Sequence, residues 1–245
     1  MDAAAATSNS RRVGVGVAAV PRCVETWKAP SREVGGELRA RLEAGRREAR
    51  LIHLLHGIHT SAKSRRLLAM REDIELGSGI ETVYHEYGDI WAINTWWKNP
   101  IIARRFLPKV KPGDVLVGHS NGCAIAMRML RLGAPAVGLV CLNGALLDNI
   151  PVPEQLRFMH VYYNSGDGVV GLTRTPVVRI SFDPLWGTMG RTGYTGESKK
   201  VWKLDCGAAE DGMPDLAGHS SIIDPPHSHA WGFFVGLQIK GASRS

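Results

Sequence analysis

The residues best suited to chemistry lie in "KPGDVLVGHSNGCAIAMRML", residues 111–130, where Ser120 is set between Gly118 and Gly122. Aliphatics before the serine and an Ala-rich helical pattern after it make this G-x-S-x-G a strand, a sharp turn and a helix. So tight a turn strains the serine backbone and pushes the hydroxyl out above the sheet. Side chains at 118 and 122 would strike the adjoining strand and helix, so both positions take glycine. A helix beginning at Asn121 aims its free N–H groups and positive dipole end at whatever is bound to Ser120. Such a hydroxyl can serve as a nucleophile toward an acyl carbon. A turn serine without a chemical role is the alternative.

A nucleophile needs a rigid frame, and the rest of the chain reads as one. Short β-type runs occur at 51–55, 82–87, 114–118, 136–143, 158–164 and 201–205. Helical patterns fall between most of them, at 61–76, 99–108 and 121–132, with a short turn at 153–157 and a closing helix at 227–241. Upstream, "RRVGVGVAAVP" reads as an edge strand and "GGELRARLEAGRREA" as an exposed helix. Aliphatic strands alternating with helices predict an α/β fold, with a mostly parallel central sheet and helices on both faces. Ligands of such sheets bind beyond the carboxyl ends of the strands, where the polar clusters of this chain fall. Residues 1–12 read as a disordered tail and 13–245 as a single domain. Residues 171–200 are too long for an ordinary connection and read as a lid or pocket wall. "DIWAINTWWK", residues 89–98, is the other expected wall.

With "DVLV" before it and "CAIAMRML" after it, "GHSNG" resembles the nucleophile elbow of the α/β-hydrolase family, and the resemblance extends over about residues 50–240. It implies a triad in the chain order Ser, Asp or Glu, His. The acid is then expected after a later strand, where "FMHVYYNSGDGVV" supplies Asp167 in a Gly-flanked turn. Asp148 is the reserve candidate, and Asp183 ranks lower because it lies in the long excursion. The histidine is expected between the last strand and the last helix, where "LAGHSSIIDPPHSHAW" offers His219, His227 and His229. His219 is preferred, because a Gly-His-Ser loop can swing an imidazole toward the serine. His227 and His229 open the closing helix and read as capping or packing residues. An oxyanion hole would take one N–H from Asn121 and a second from Ile58 or His59, following Gly57 in "LIHLLHGIHTS". Each donor would supply about 3–4 kcal/mol of transition-state stabilisation. His56 reads as structural.

The activity this resemblance implies is cleavage of a small-molecule carboxylic ester through an acyl-enzyme on Ser120. His219 would be the general base and Asp167 would orient it. Thioester hydrolysis or acyl transfer at the same site stays open, as does a hydrolase-like fold used only for binding. "PLWGTMGRTGYTG" followed by "GHS" is also similar to small hydrolase-like proteins of phages and prophage-rich bacteria.

Bulk properties narrow the choice. The 245 residues are 44% hydrophobic, enough for one domain with a sizeable core. No apolar run reaches the roughly 18 residues a membrane span needs. The start "MDAAAATSNSRR" lacks the apolar stretch of a secretion signal. Cys23, Cys123, Cys141 and Cys206 form no CxxC pair, which points to reduced thiols and a cytoplasmic location. The H-x-H at 227–229 has no supporting carboxylate or cysteine at metal-ligand spacing, so neither metal nor cofactor is expected. The net charge of +7 arises entirely within the first 112 residues. A basic surface can attract nucleic acid or anionic lipid. The mixed signs of "ELRARLEAGRREAR" read instead as a solvated helix, so nucleic acid is not expected as a partner. Nothing in the sequence signals the oligomeric state.

Overall fold

A computed structural model describes residues 50–58, 66–171, 183–208, 216 and 218–244. Six strands form one sheet in the order β2-β1-β3-β4-β5-β6, and every pairing among them is parallel. They are β1 (Ile52–Leu55), β2 (Thr82–His85), β3 (Val115–His119), β4 (Gly138–Leu142), β5 (Phe158–Tyr163) and β6 (Val201–Asp205). Four longer helices cover the sheet: α1 (Arg71–Ser78), α2 (Thr95–Phe106), α3 (Asn121–Arg131) and α4 (His227–Arg244).

Side chains on the strands alternate between two apolar layers, as the two-residue period of a strand requires. Leu55, Leu116, Leu139, Cys141, Met159 and Val161 pack with α2 and α3. Leu54, Val117, Val140, Leu142 and Tyr162 face the other way, against Leu67, Ile74, Trp231, Val235 and Ile239 of the opposite helical layer. Both faces are buried, which is why β1, β3 and β4 are largely aliphatic, while β5 fills the same layers with Phe158, Met159, Val161 and Tyr162. The α/β class and the covering helices therefore agree with the sequence reading, and the sheet is parallel throughout its six strands.

Helix α2 begins four residues before the expected start. A start at 99 would put Pro100 in the first turn, where proline is tolerated, whereas here Pro100 lies inside the helix. The actual start is held by one local and several long-range bonds: Thr95 Oγ1 donates to Ala92 O at 2.8 Å and accepts from Asp183 N at 3.4 Å, and the amide of buried Asn99 donates to Asn121 and Asp183. Of the long excursion, residues 183–200 pack down on the sheet end. Leu147 N donates to Leu185 O, Met189 N to Leu146 O, and Asn164 N to Gly190 O. Leu185, Met189 and Tyr194 are buried there. Residues 172–182, the tail, and the expected upstream strand and helix lie outside the described residues.

Candidate active site

Ser120 follows β3 directly and stands at φ 54°, ψ −122°, a backbone conformation that costs a side-chain-bearing residue on the order of 1–3 kcal/mol. The surroundings enforce it. Ser120 N donates to Leu142 O at 3.0 Å, and Ser120 O accepts from Cys123 N and Ala145 N, each at 3.1 Å. A Cβ at Gly122 would lie 2.1 Å from Leu55 O, and one at Gly118 would lie 2.6 Å from Cys123 N. Only glycine lets helix α3 start this close to β1. Among the described residues, Asn143 is the one other non-glycine at positive φ, at 44°, and it follows the adjacent strand β4. Both strained residues therefore stand at neighbouring strand ends.

Asn143 links the elbow to the histidine loop. Its Nδ2 donates to His219 O at 2.7 Å. Asn164, after β5, holds the same loop from the other side, with Nδ2 donating to Leu216 O at 2.8 Å and Gly218 O at 3.3 Å. So anchored, His219 places Nδ1 at 2.6 Å from Asp167 Oδ2. Asp167 is fully buried, and its second oxygen accepts from Val170 N at 3.0 Å. A carboxylate in that position makes Nδ1 the protonated nitrogen of the ring and leaves the Nε2 lone pair available to accept a proton. The His219 side chain keeps 12% of its surface open.

The neighbouring imidazole is held uncharged. His119 is pushed down to about 3, first by burial and then by the closeness of His219, whose ring centre is 5.1 Å away. Its Nε2–H donates to His219 O at 3.3 Å. Beyond it, the turn after β1 crosses over the serine: a Cβ at Gly57 would meet Ser120 Cβ at 3.0 Å and Oγ at 3.4 Å. His56 supports that turn, donating from Nδ1 to Gly57 O at 2.9 Å and stacking on Tyr87 with centres 3.8 Å apart. Burial lowers the His56 pKa.

Asn121 is fixed through its side chain. Its Oδ1 accepts from Asn99 Nδ2 and Trp186 Nε1, both at 2.8 Å. Asn99 Nδ2 also donates to Asp183 Oδ2 at 2.7 Å, and Arg128 grips Asp183 through two bonds of 2.9 and 2.7 Å. This buried network pins the first turn of α3 and leaves the Asn121 backbone N–H without a hydrogen-bond partner among the described residues.

The structure therefore gathers Ser120, Asn121, Asp167 and His219 at one end of the sheet, with Gly57 and Ile58 beside them. No hydrogen bond joins Ser120 Oγ to His219 in this arrangement. His59 lies outside the described residues. Asp183 is committed to Arg128, and Asp148 accepts from Thr188 and Thr192, each at 3.2 Å. His229 pairs with Asp73 at 2.8 Å, tying α4 to α1. Asn143, Asn164 and the Asn99–Asp183–Arg128 network escaped sequence reading. "CLNGA" and "YYNSGDG" carry Asn-Gly and Asx-turn signals, but such signals do not say which loop each amide will reach. The expected walls also separate. Trp186 is half-buried against Asn121, whereas Trp91, Trp96 and Trp97 face solvent.

No family model matches the chain, and no curated protein matches it significantly. Solved structures similar to it include esterases, lipases and an extracellular α/β-hydrolase. They include the esterase domain of a Rhodothermus marinus protein, with TM-score 0.49 and 11% identity over 82% of this chain and 89% of that one. An esterase of Pyrococcus furiosus gives TM-score 0.46 and 12% identity over 81% and 83% of the two chains. A monoacylglycerol lipase of Paleococcus ferrophilus gives 0.44 and 13% over 78% and 94%. These are likenesses of chain path at low identity, and the roles of individual residues rest on the geometry above.

Proposed function

We propose that the chain is a serine hydrolase that cleaves carboxylic esters through an acyl-enzyme on Ser120. The observation that carries this reading is the 2.6 Å pair of His219 Nδ1 with buried Asp167, in a loop that Asn143 ties to the strand end beside the elbow. Asp167 fixes the tautomer in which His219 Nε2 is the base. That nitrogen takes the Ser120 proton as Oγ bonds to the acyl carbon, and the carbonyl electron pair moves onto oxygen. The N–H of Asn121 and one from Ile58 or His59 hold the oxyanion. Its collapse expels the alkoxide, which receives the proton from His219. Water then repeats the sequence, releasing the acid and restoring Ser120. Esters suit the site because an alkoxide leaves with less protonation than an amine.

One observation favours a second reading. Ser120 Oγ has no hydrogen bond to His219, as in a fold retained for binding with its triad out of register. Catalytic hydrogen bonds are often long before substrate is bound, so the ester-hydrolase reading stands first. Hydrolysis of p-nitrophenyl butyrate by the parent and by Ser120→Ala tests it. The variant should lose at least about three orders of magnitude in kcat. Equal rates would remove Ser120 from the chemistry.

A further inference from the structure

Helix α2 turns an apolar face outward. Its buried side consists of Thr95, Asn99, Ile102, Ala103 and Phe106. On the outside stand Ile93 at 72% exposure, Trp96 at 58%, Trp97 at 43% and Ile101 at 55%, with Trp91 alongside. The other large exposed hydrophobics among the described residues, Leu132, Val169 and Leu237, are scattered in sequence. Five in an eleven-residue stretch are not the scattered apolar residues of an ordinary surface.

The charge along the same segment has one sign. Residues 91–111 contain Lys98, Arg104, Arg105, Lys109 and Lys111 and no aspartate or glutamate. Lys98 is engaged by Asp89 O at 3.0 Å. Arg104, Arg105, Lys109 and Lys111 are exposed. The outward face therefore passes from tryptophan and isoleucine over its first two turns to cations over its last turn and beyond. Tryptophan has an apolar body and a polar N–H, a combination that favours the headgroup boundary of a bilayer. Clustered Lys and Arg beside such a face favour anionic headgroups.

We propose that this face of α2 docks on a bilayer containing anionic phospholipid. Trp96, Trp97, Ile93 and Ile101 would enter the headgroup–acyl boundary, while Arg104, Arg105 and Lys109 meet lipid phosphates. Asn99, on the opposite side of the helix, bonds to Asn121, so docking brings the Ser120 end of the sheet to the lipid. The surface does not depend on the catalytic reading, because binding is measured without turnover.

The test is co-sedimentation of the full chain with phosphatidylcholine vesicles, with and without phosphatidylglycerol. The parent should pellet with the mixed vesicles and weaken as salt rises. W96S/W97S should lose binding roughly tenfold or more. R104Q/R105Q should lose roughly 25-fold on the mixed vesicles, since each cation near an anionic surface contributes about fivefold. Both variants should keep the parent's Tm and its rate on a soluble short-chain ester, and Ser120→Ala should bind as the parent does. A parent that stays in the supernatant with mixed vesicles would overturn the proposal, as would W96S/W97S binding at full strength. So would a parent dimer that W96S/W97S splits, because the face would then be covered by a second copy.

Discussion

Three aspartate–histidine pairs stand among the described residues: His229 with Asp73 joins two helices at the surface, and the other two, each built on a fully buried aspartate, belong to the sheet. His219 and Asp167 meet at 2.6 Å at the carboxyl end of the sheet, and His53 and Asp114 at 2.9 Å inside the sheet layer. The difference lies at the second ring nitrogen. His53 Nδ1 meets His85 Nε2 at 2.8 Å, so that both ring nitrogens of His53 are engaged by buried partners. Asp114 also accepts from Leu51 N and Lys111 N. Burial alone would raise the Asp114 pKa, but these hydrogen bonds together hold it below the usual carboxylate range. His53 is 1% exposed and His85 2%. This inner pair is a buried polar link joining β1, β2 and the entry to β3. In the outer pair Nε2 meets no hydrogen-bond partner among the described residues, and its loop is tied by Asn143 to the strand end next to that of Ser120. A carboxylate–imidazole contact is therefore not by itself a sign of catalysis.

The sharpest way to separate the two pairs is to make the same substitution in each. Asp167→Asn should lower kcat on a short-chain ester by about three to four orders of magnitude, because the amide no longer selects the reactive tautomer. Its Tm should stay near that of the parent. Asp114→Asn should do the reverse. It leaves the Lys111 or Leu51 N–H without a carboxylate acceptor in a buried site and should cost about 3 kcal/mol in urea unfolding, with kcat per folded molecule unchanged. If both substitutions lowered activity and stability together, the distinction between the pairs would fail.

A smaller effect follows from pH. Burial, with His53 and Lys109 nearby, pushes His85 down to about 4, and burial does the same to His160. Their ordinary value is 6.5, so between pH 6.5 and about 4 the unfolded chain binds protons that the folded chain refuses. Stability from these groups is complete above pH 6.5 and falls as pH drops toward 4. Thermal unfolding from pH 8 to pH 5 should show a plateau and then a decline. His85→Gln should flatten part of the decline, and an unchanged slope would remove the inner chain from this account.

The frame was legible because its signals are local. All six strands lie within three residues of their expected bounds: β1, β3 and β4 are largely aliphatic because both of their faces are buried, and the edge strands β2 and β6 carry β-branched and aromatic residues. Gly118, Ser120 and Gly122 were legible because one turn contains both the strain and its remedy. His219 and Asp167 needed a family order to be picked out, being 52 residues apart. The inner chain of His53, His85 and Asp114 was not legible: its contacts span 32 and 61 residues, and a histidine in an aliphatic strand does not announce its partner. The early start of α2 was hidden for the same reason, because Thr95 and Asn99 are held by groups on other elements. The tryptophans at 91–97 have the composition of a wall, and only the path of α2 turns them outward.

The central claim is that Ser120 is an activated nucleophile. Treating the full chain with a fluorophosphonate and mapping the modified peptide by mass spectrometry tests it directly. One adduct on Ser120 is predicted, absent in Ser120→Ala and strongly slowed in His219→Ala, where no base remains to take the proton. An unlabelled parent, or an adduct formed equally fast without His219, would contradict it.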